Sequence, residues 1–227
     1  MSHVLDNPTW HALMTEHALF AEGNDLAKRY PSDVSSLCAV KEQSKEAYDA
    51  LAELLPPQET VILFLTEQPS PPAGWRVIDS FLMDQMVCKA PPRIIAHEYP
   101  LNELSQHDVP EMIALAKLTK PGPFRKRTIE FGGYLGVRAA GCLAAMTGQR
   151  THPTGFIEVS AVCTHPDFRG KGYARALVAT VARSIYLRDE IPFLGVRQDN
   201  RNALRVYQEV GFTTRRALYV AAMKRPQ

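Results

Sequence analysis

Val162-Cys163-Thr164-His165-Pro166-Asp167-Phe168-Arg169-Gly170-Lys171-Gly172-Tyr173-Ala174 packs three elements into thirteen residues. An apolar, β-branched strand ends at His165-Pro166. A short loop follows, and Arg169-Gly170-Lys171-Gly172-Tyr173-Ala174 opens a long helix. The two glycines remove side chains at the helix start, so backbone amides there can approach an anion closely. The helix N-terminus adds unpaired N–H groups and partial positive charge. Arg169 and Lys171 place formal charge beside it. In physical terms the stretch is a pyrophosphate cradle at a strand-to-helix turn.

The surrounding sequence extends that order. Downstream, residues 172–187 read as the helix, 191–196 as a strand, 200–210 as a second helix and 218–223 as a last strand. Upstream, residues 156–163 form the strand that leads into the loop. Residues 128–136 and 141–148 read as paired strands around a turn at 137–140. Val109, Met112, Ile113 and Ala116 have helical spacing, and residues 93–101 read as a strand. Strands alternating with helices imply a layered α/β or α+β fold with a mixed sheet.

The first ninety residues carry no comparable motif. Asn7 with Pro8 marks a helix start, and Trp10, Leu13, Met14 and His17 follow one helical face that Phe20 and Ala21 continue. A second helix is expected over residues 44–55, ahead of Pro56-Pro57. Residues 61–65 suit a buried strand, and residues 75–87 are apolar without a decisive period. Proline clusters at Pro69, Pro71, Pro72 and at Pro91, Pro92 punctuate this half. They place a boundary near Pro92, with an N-terminal α/β segment at 1–92 and a second domain, which carries the cradle, at 93–227.

Known phosphate loops do not fit the cradle. A Walker A loop needs Ser or Thr after its lysine, and Lys171 is followed by Gly172. The dinucleotide fingerprint needs a third glycine where Arg175 stands. The pattern Arg/Gln-x-x-Gly-x-Gly/Ala is met by Arg169, Gly172 and Ala174. A second element lies about 30 residues on, in Asn200-Arg201-Asn202-Ala203-Leu204-Arg205-Val206-Tyr207-Gln208-Glu209-Val210-Gly211-Phe212. Asn200, Ala203 and Tyr207 share one helical face. Asn200 also suits an N-cap, and Gly211 a position just past a helix end.

Together the two motifs resemble those of the GNAT superfamily of N-acetyltransferases. The C-terminal half is most similar to the glycine N-acyltransferase-like group. The resemblance implies a GNAT fold, a mixed and mostly antiparallel sheet flanked by helices, here with an additional N-terminal α/β segment. It implies acetyl-CoA, or another acyl-CoA, as co-substrate. Backbone groups of Val162, Cys163 and Thr164 would pair with the pantetheine arm. The amides of Arg169, Gly170, Lys171, Gly172, Tyr173 and Ala174 would hold the pyrophosphate, and Asn200 and Ala203 would line the pantetheine side. Tyr207 would protonate the leaving thiolate. Glu158, eleven residues before Arg169, stands where some members carry a catalytic base, and Ser160 acting through water is the alternative. A structural carboxylate bound to arginine or to backbone, or one at the strand's wet face, is the competing reading of Glu158. The loop Pro121-Gly122-Pro123-Phe124-Arg125 lies where members form part of the acceptor pocket, or is an ordinary turn.

Composition narrows the partners. The chain has 227 residues, of which 45% are hydrophobic, so a packed core is feasible. Lys plus Arg total 26 against 24 Asp plus Glu, a formal balance of +2. That balance points neither to nucleic acid nor to an anionic membrane. Cys38, Cys88, Cys142 and Cys163 form no CxxC pair and no disulfide framework. Cys163 with His165 can be drawn as a nucleophile and base, without an orienting third group. The histidines lack metal-ligand spacing, so no metal is expected. With no basic segment leading an apolar run at the N-terminus, a cytoplasmic protein is the expectation. The expected function is acyl transfer to a small amine or peptide, set against a non-catalytic acyl-CoA-binding regulatory module. Residues 1–92 are open as a lid, a degenerate half-domain or a homodimer surface.

Overall fold

The computed structural model describes residues 3–225. Its elements in chain order are α1 (Pro8–Met14), β1 (Glu22–Gly23), β2 (Ala27–Arg29), β3 (Cys38–Val40), α2 (Lys45–Glu53), β4 (Thr60–Leu65), β5 (Arg76–Val87), β6 (Asn102–Glu103), α3 (Val109–Thr119), β7 (Leu135–Ala139), β8 (Cys142–Gln149), β9 (Phe156–Thr164), α4 (Tyr173–Tyr186), β10 (Ile191–Arg197), α5 (Arg201–Val210) and β11 (Thr213–Lys224). The fold is mixed α/β, with a mostly antiparallel sheet flanked by helices. Two compact units divide the chain. One draws on Met1–Asp84, Thr151–Thr154 and Arg216–Gln227, the other on Gln85–Arg150 and Gly155–Arg215. Residues of β5 and β11 therefore fall in both.

In the first unit β1, β2 and β3 make a small antiparallel sheet. β4 pairs antiparallel with β11, from Tyr219 opposite Leu65 to Lys224 opposite Thr60. The Asn7 side chain caps α1 by accepting from the Trp10 amide, with Pro8 at the first helical position. Ser44 caps α2 in the same way through the Ala47 amide. Ala47, Tyr48, Ala50 and Leu51 put one face of α2 into a core with Val40, Val61, Leu63 and Met223. The α1 face does not continue to Ala21 as the spacing suggests. Thr15 leaves helical backbone angles (φ −129, ψ −106) and its hydroxyl donates to the His11 carbonyl. His17 is buried there, its Nδ1 2.9 Å from the Tyr30 hydroxyl and its ring edge-on to His152.

Burial, and then the neighbouring His152, lower the His17 pKa from 6.5 to about 4. A depressed folded-state value means the stabilisation is complete above 6.5 and is lost as pH falls toward 4. Stability is expected to drop by about 3 kcal/mol across that window, since one pKa unit corresponds to about 1.4 kcal/mol. Urea unfolding at several pH values reads this directly, and a flat profile between pH 6.5 and 4 would exclude it.

In the second unit the strand order is β5-β10-β9-β8-β7-β6. β6 to β9 run antiparallel in succession, and β9 and β10 are parallel. Alternation along the strands sends Ile157 and Val159 to a core with α4 and α5. Met146, Leu143 and Cys163 enter a second core under α3, carried there by the register shifts of β8 and β9 rather than by strict alternation.

Three local expectations are corrected here. Residues 93–101 are not a strand. Pro91, Pro92 and Pro100 offer no amide to a ladder, and the Arg93 amide donates to the Val210 carbonyl at the end of α5. Residues 128–136 begin as a 3-10 turn, Thr128–Phe131, closed by Gly132 and Gly133 in left-handed conformations that end any extended run. The hairpin then turns at Ala140 and Gly141, later than expected. Residues 75–87, undecided from period alone, form the long strand β5.

Candidate functional site

The ladder between β9 and β10 ends early. Its pairs are Ile191 with Phe156, Pro192 with Ile157 and Phe193 with Glu158. Beyond them both strands continue, over residues 159–164 and 194–197, without pairing to each other. Two parallel strands that separate in this way expose backbone donors and acceptors along the inner edges of a wedge.

A bulge shapes β9 where the wedge opens. Ala161 has φ +53, and the β8–β9 register shifts there, between Met146–Cys163 and Gly148–Ser160. The Thr147 hydroxyl donates to the Ser160 carbonyl and satisfies the group the bulge releases. The bulge also breaks the two-residue alternation of a regular strand. Phe156, Glu158, Ser160 and Val162 do not all face one way, because the extra residue turns Val162 to the side of Ile157 and Val159.

The glycine loop follows the open end of β9. The His165 side chain caps the 3-10 turn Pro166–Phe168 by accepting from the Asp167 amide. Gly170 (φ +78) and Gly172 (φ +79) both occupy the left-handed region, so a side chain at either position would be strained. Gly172 starts α4 with no side-chain cap. The first amides of a fourteen-residue helix are thus left for an acceptor from outside, which is what a pyrophosphate oxygen would supply. Arg169, Gly170 and Lys171 are exposed, and the Lys171 ammonium lies 5.1 Å from the centre of the Phe168 ring. Tyr173 and Ala174 are half-buried. The residue types and backbone angles of this loop fit a diphosphate ester.

On α5, the Asn200 side-chain oxygen accepts from the Ala203 amide at 3.1 Å, so Asn200 is the N-cap. Its amide N–H groups take no part in that cap. Tyr207 is 7% exposed and packs with Val159, Val196 and Phe212, with Val162 and Ala203 against the same cluster. Burial, and then the nearby Cys163 thiol, push its phenol well above the usual tyrosine range. Cys163 itself is buried, and that burial raises its pKa to about 12. Such a thiol is a poor nucleophile. Iodoacetamide is therefore expected to modify the half-buried Cys142 in the native protein and to leave Cys163 intact. Peptide mass mapping checks this, and rapid labelling of Cys163 would contradict it.

Glu158 is 2% exposed and is gripped by Arg150 through two contacts, Nε to Oε2 at 2.9 Å and Nη2 to Oε1 at 2.5 Å. The Arg150 amide also donates to the Glu158 carbonyl, so the two residues are cross-strand neighbours. Arg150 lines a shallow, solvent-open cleft. Pro121, Gly122, Pro123 and Phe124 form one wall, and Ser160 and Ala161 at the β9 bulge form part of another. Cleft and wedge thus meet at the bulge, within the second unit.

Two residues of this region carry no signal in the sequence. Arg150 follows an expected strand end at Gly148, and only the register shows that it faces Glu158. Tyr99 lies in the irregular segment before β6. Its ring stacks edge-on against Tyr173 at 4.7 Å, and its hydroxyl lies 3.7 Å from where a Cβ on Gly172 would stand. Among the described residues no group of three or more His, Cys, Asp or Glu side chains could hold a metal ion. No helix among them is long and apolar enough to cross a membrane.

Comparison with known proteins agrees with this geometry. The model of the family described as FR47-like protein matches residues 134–221. Among curated proteins none matches the chain. A crystal structure from Novosphingobium aromaticivorans, described as an acetyltransferase from the GNAT family, is 34% identical over all of both chains, with a TM-score of 0.91. A GCN5-related N-acetyltransferase from Kribbella flavida is 13% identical over 95% of this chain and 93% of its own, with a TM-score of 0.64. At that identity the likeness is one of fold alone. Wedge, glycine loop, family model and full-length relative lead to one assignment: the chain belongs to the GNAT family of acetyltransferases.

Proposed function

We propose that the protein transfers an acetyl group from acetyl-CoA to a primary amine by direct attack on the thioester. The observation that carries this reading is the early end of the β9–β10 ladder, with the uncapped, glycine-started α4 at its open end. Backbone groups of Val162, Cys163 and Thr164 would pair with the pantetheine amides as an added strand. The amides from Arg169 to Ala174 would take the pyrophosphate, with Asn200 and Ala203 along the arm.

The chemistry balances with few protein groups. The acceptor ammonium loses a proton, its nitrogen attacks the carbonyl carbon, and the bonded nitrogen then gives up a second proton to solvent. The C–N bond forms and the C–S bond breaks. Tyr207, held protonated by burial, gives its proton to the departing sulfur and recovers one from solvent. The products are the N-acetyl amine, free CoA thiol and one proton. For the first proton, Glu158 as base would have to give up one arm of its grip on Arg150. Ser160 lines the cleft directly, so water beside it is the better-placed acceptor and Glu158 acts by orienting Arg150.

Calorimetric titration with acetyl-CoA and desulfo-CoA, followed by thiol-release assays on a panel of amines, tests the reading. Micromolar binding with thiol release on one amine class is the expected result. Binding without release on any amine would favour the regulatory module. Absence of binding would remove the proposal and leave the loop as a structural turn.

A further inference from the structure

Residues 88–101 cross the second unit without regular structure and end beside the glycine loop. The Cys88 amide donates to the Pro192 carbonyl, and the Arg93 amide to the Val210 carbonyl, so the stretch is tied to β10 and to the end of α5. Near its far end Tyr99 packs with Val137, Ala145 and Leu177. Its ring meets Tyr173 edge-on at 4.7 Å. The His97 ring stacks on it at 5.1 Å, with Nδ1 2.8 Å from the Tyr99 carbonyl oxygen. A ring held from these sides fixes where its hydroxyl stands.

That hydroxyl lies 3.7 Å from the point a Cβ on Gly172 would occupy, and Arg175 Nη2 lies 4.0 Å from the same point. Arg175 is anchored through its other arm, since Nη1 donates to Glu209 Oε2 at 3.0 Å. Gly172 starts α4 with no side-chain cap. Two side-chain donors and the unpaired amides of a helix start therefore border the space left by one missing side chain. Among the described residues the Tyr99 hydroxyl has no hydrogen-bond partner. Burial, and then the neighbouring Tyr173, raise its phenol above the ordinary value, so it is a donor at neutral pH.

We propose that Tyr99 binds the co-substrate, its hydroxyl donating to a diphosphate oxygen of acyl-CoA above Gly172, beside Arg175 Nη2. The cradle proposed above is built from backbone amides of the loop, and Tyr99 adds a side chain from a distant stretch of the chain. A hydroxyl that donates to a charged phosphate oxygen makes a charge-assisted hydrogen bond. The guanidinium adds formal charge and a second planar donor. Both groups serve the diphosphate and not the thioester, so their effect falls on affinity and not on the chemical step.

The inference rests on the transferase reading, and the experiment separates the two. Acetyl-CoA binding to the wild-type protein is measured first by calorimetry, and its absence would remove both. Tyr99→Phe deletes the hydroxyl and keeps the ring with its packing, so urea unfolding should match wild type. The acetyl-CoA Kd is expected to rise about tenfold or more. The kcat at saturating acetyl-CoA should change by less than about twofold. S-acetylpantetheine, which has no nucleotide, should react with the same kcat/KM in both proteins. Acetyl-dephospho-CoA, which keeps the diphosphate and lacks the 3′-phosphate, should show the same loss of affinity as acetyl-CoA. An unchanged Kd overturns the inference and leaves the transferase standing. A penalty that persists on S-acetylpantetheine overturns it too, by showing a structural role. A penalty that vanishes with acetyl-dephospho-CoA overturns the diphosphate assignment, because the hydroxyl then serves the 3′-phosphate. Arg175→Gln, at an exposed position, should also raise the acetyl-CoA Kd with S-acetylpantetheine unaffected. An unchanged Kd in that variant would take Arg175 out of the site.

Discussion

Tyr207→Phe is expected to lower kcat by about 10²–10³-fold, within the range general acid catalysis contributes. The acetyl-CoA dissociation constant should change by less than about twofold, because the phenyl ring keeps the packing with Val159, Val196 and Phe212. The separation of the two readouts is the point. Loss of binding would mean the hydroxyl holds the co-substrate, and unchanged turnover would remove the acid role. The pH profile adds an independent check. The Tyr207 phenol is pushed above its ordinary value of 10 by burial and then by Cys163, so it stays protonated through the neutral range. Wild-type kcat should therefore show no decline from this group below pH 10. A falling limb centred near pH 8 that disappears in the Phe variant would contradict that assignment.

Arg150→Met is expected to cost about 3–5 kcal/mol of stability, the usual penalty for stranding a buried charge. Glu158, 2% exposed, would keep a carboxylate with its guanidinium gone. Glu158→Gln should cost less, about 1–3 kcal/mol, because Arg150 has a 14% exposed side chain and reaches the cleft, where water can serve it. The double variant Arg150→Met, Glu158→Leu should recover most of the loss, since neither charge is then stranded. Urea unfolding of the four proteins gives the coupling between the two positions. A coupling below about 0.5 kcal/mol would show the two-point contact to be energetically idle. Kinetics of Glu158→Gln then separate two roles for the carboxylate. A residue that orients Arg150 should raise the acceptor KM with kcat little changed. A general base should lower kcat and flatten the acid limb of its pH profile.

Some of this architecture is readable from the chain because it is local. Helix starts at Pro8 and at Arg201 announce themselves by asparagine caps, and the start at Lys45 by Ser44. The glycines at 170 and 172 stand where only a residue without a Cβ takes a left-handed angle easily. The order of strand, loop, helix, strand and helix from Phe156 to Phe212 follows from apolar periodicity and these punctuation marks. Each signal spans fewer than about eight residues, within the reach of side-chain-to-backbone contacts.

Other features exist only once distant segments meet. Nothing about Ala161 announces φ +53, since alanine avoids that region, and the angle is stabilised by Thr147 and the register of β8. The facing of Val162 changes with it. Residues 93–101 have strand-like composition, but Arg93 finds its partner on α5. Arg150 and Glu158 are eight apart along the chain, yet meet only because the β8–β9 hairpin brings them into register. Tyr99 reaches the glycine loop from a stretch with no regular structure. Periodicity and capping are short-range and are written in the chain itself. Register, bulges and the partners of buried charges are set by which backbone groups remain unpaired after the sheet has formed, and that is a property of the assembled fold.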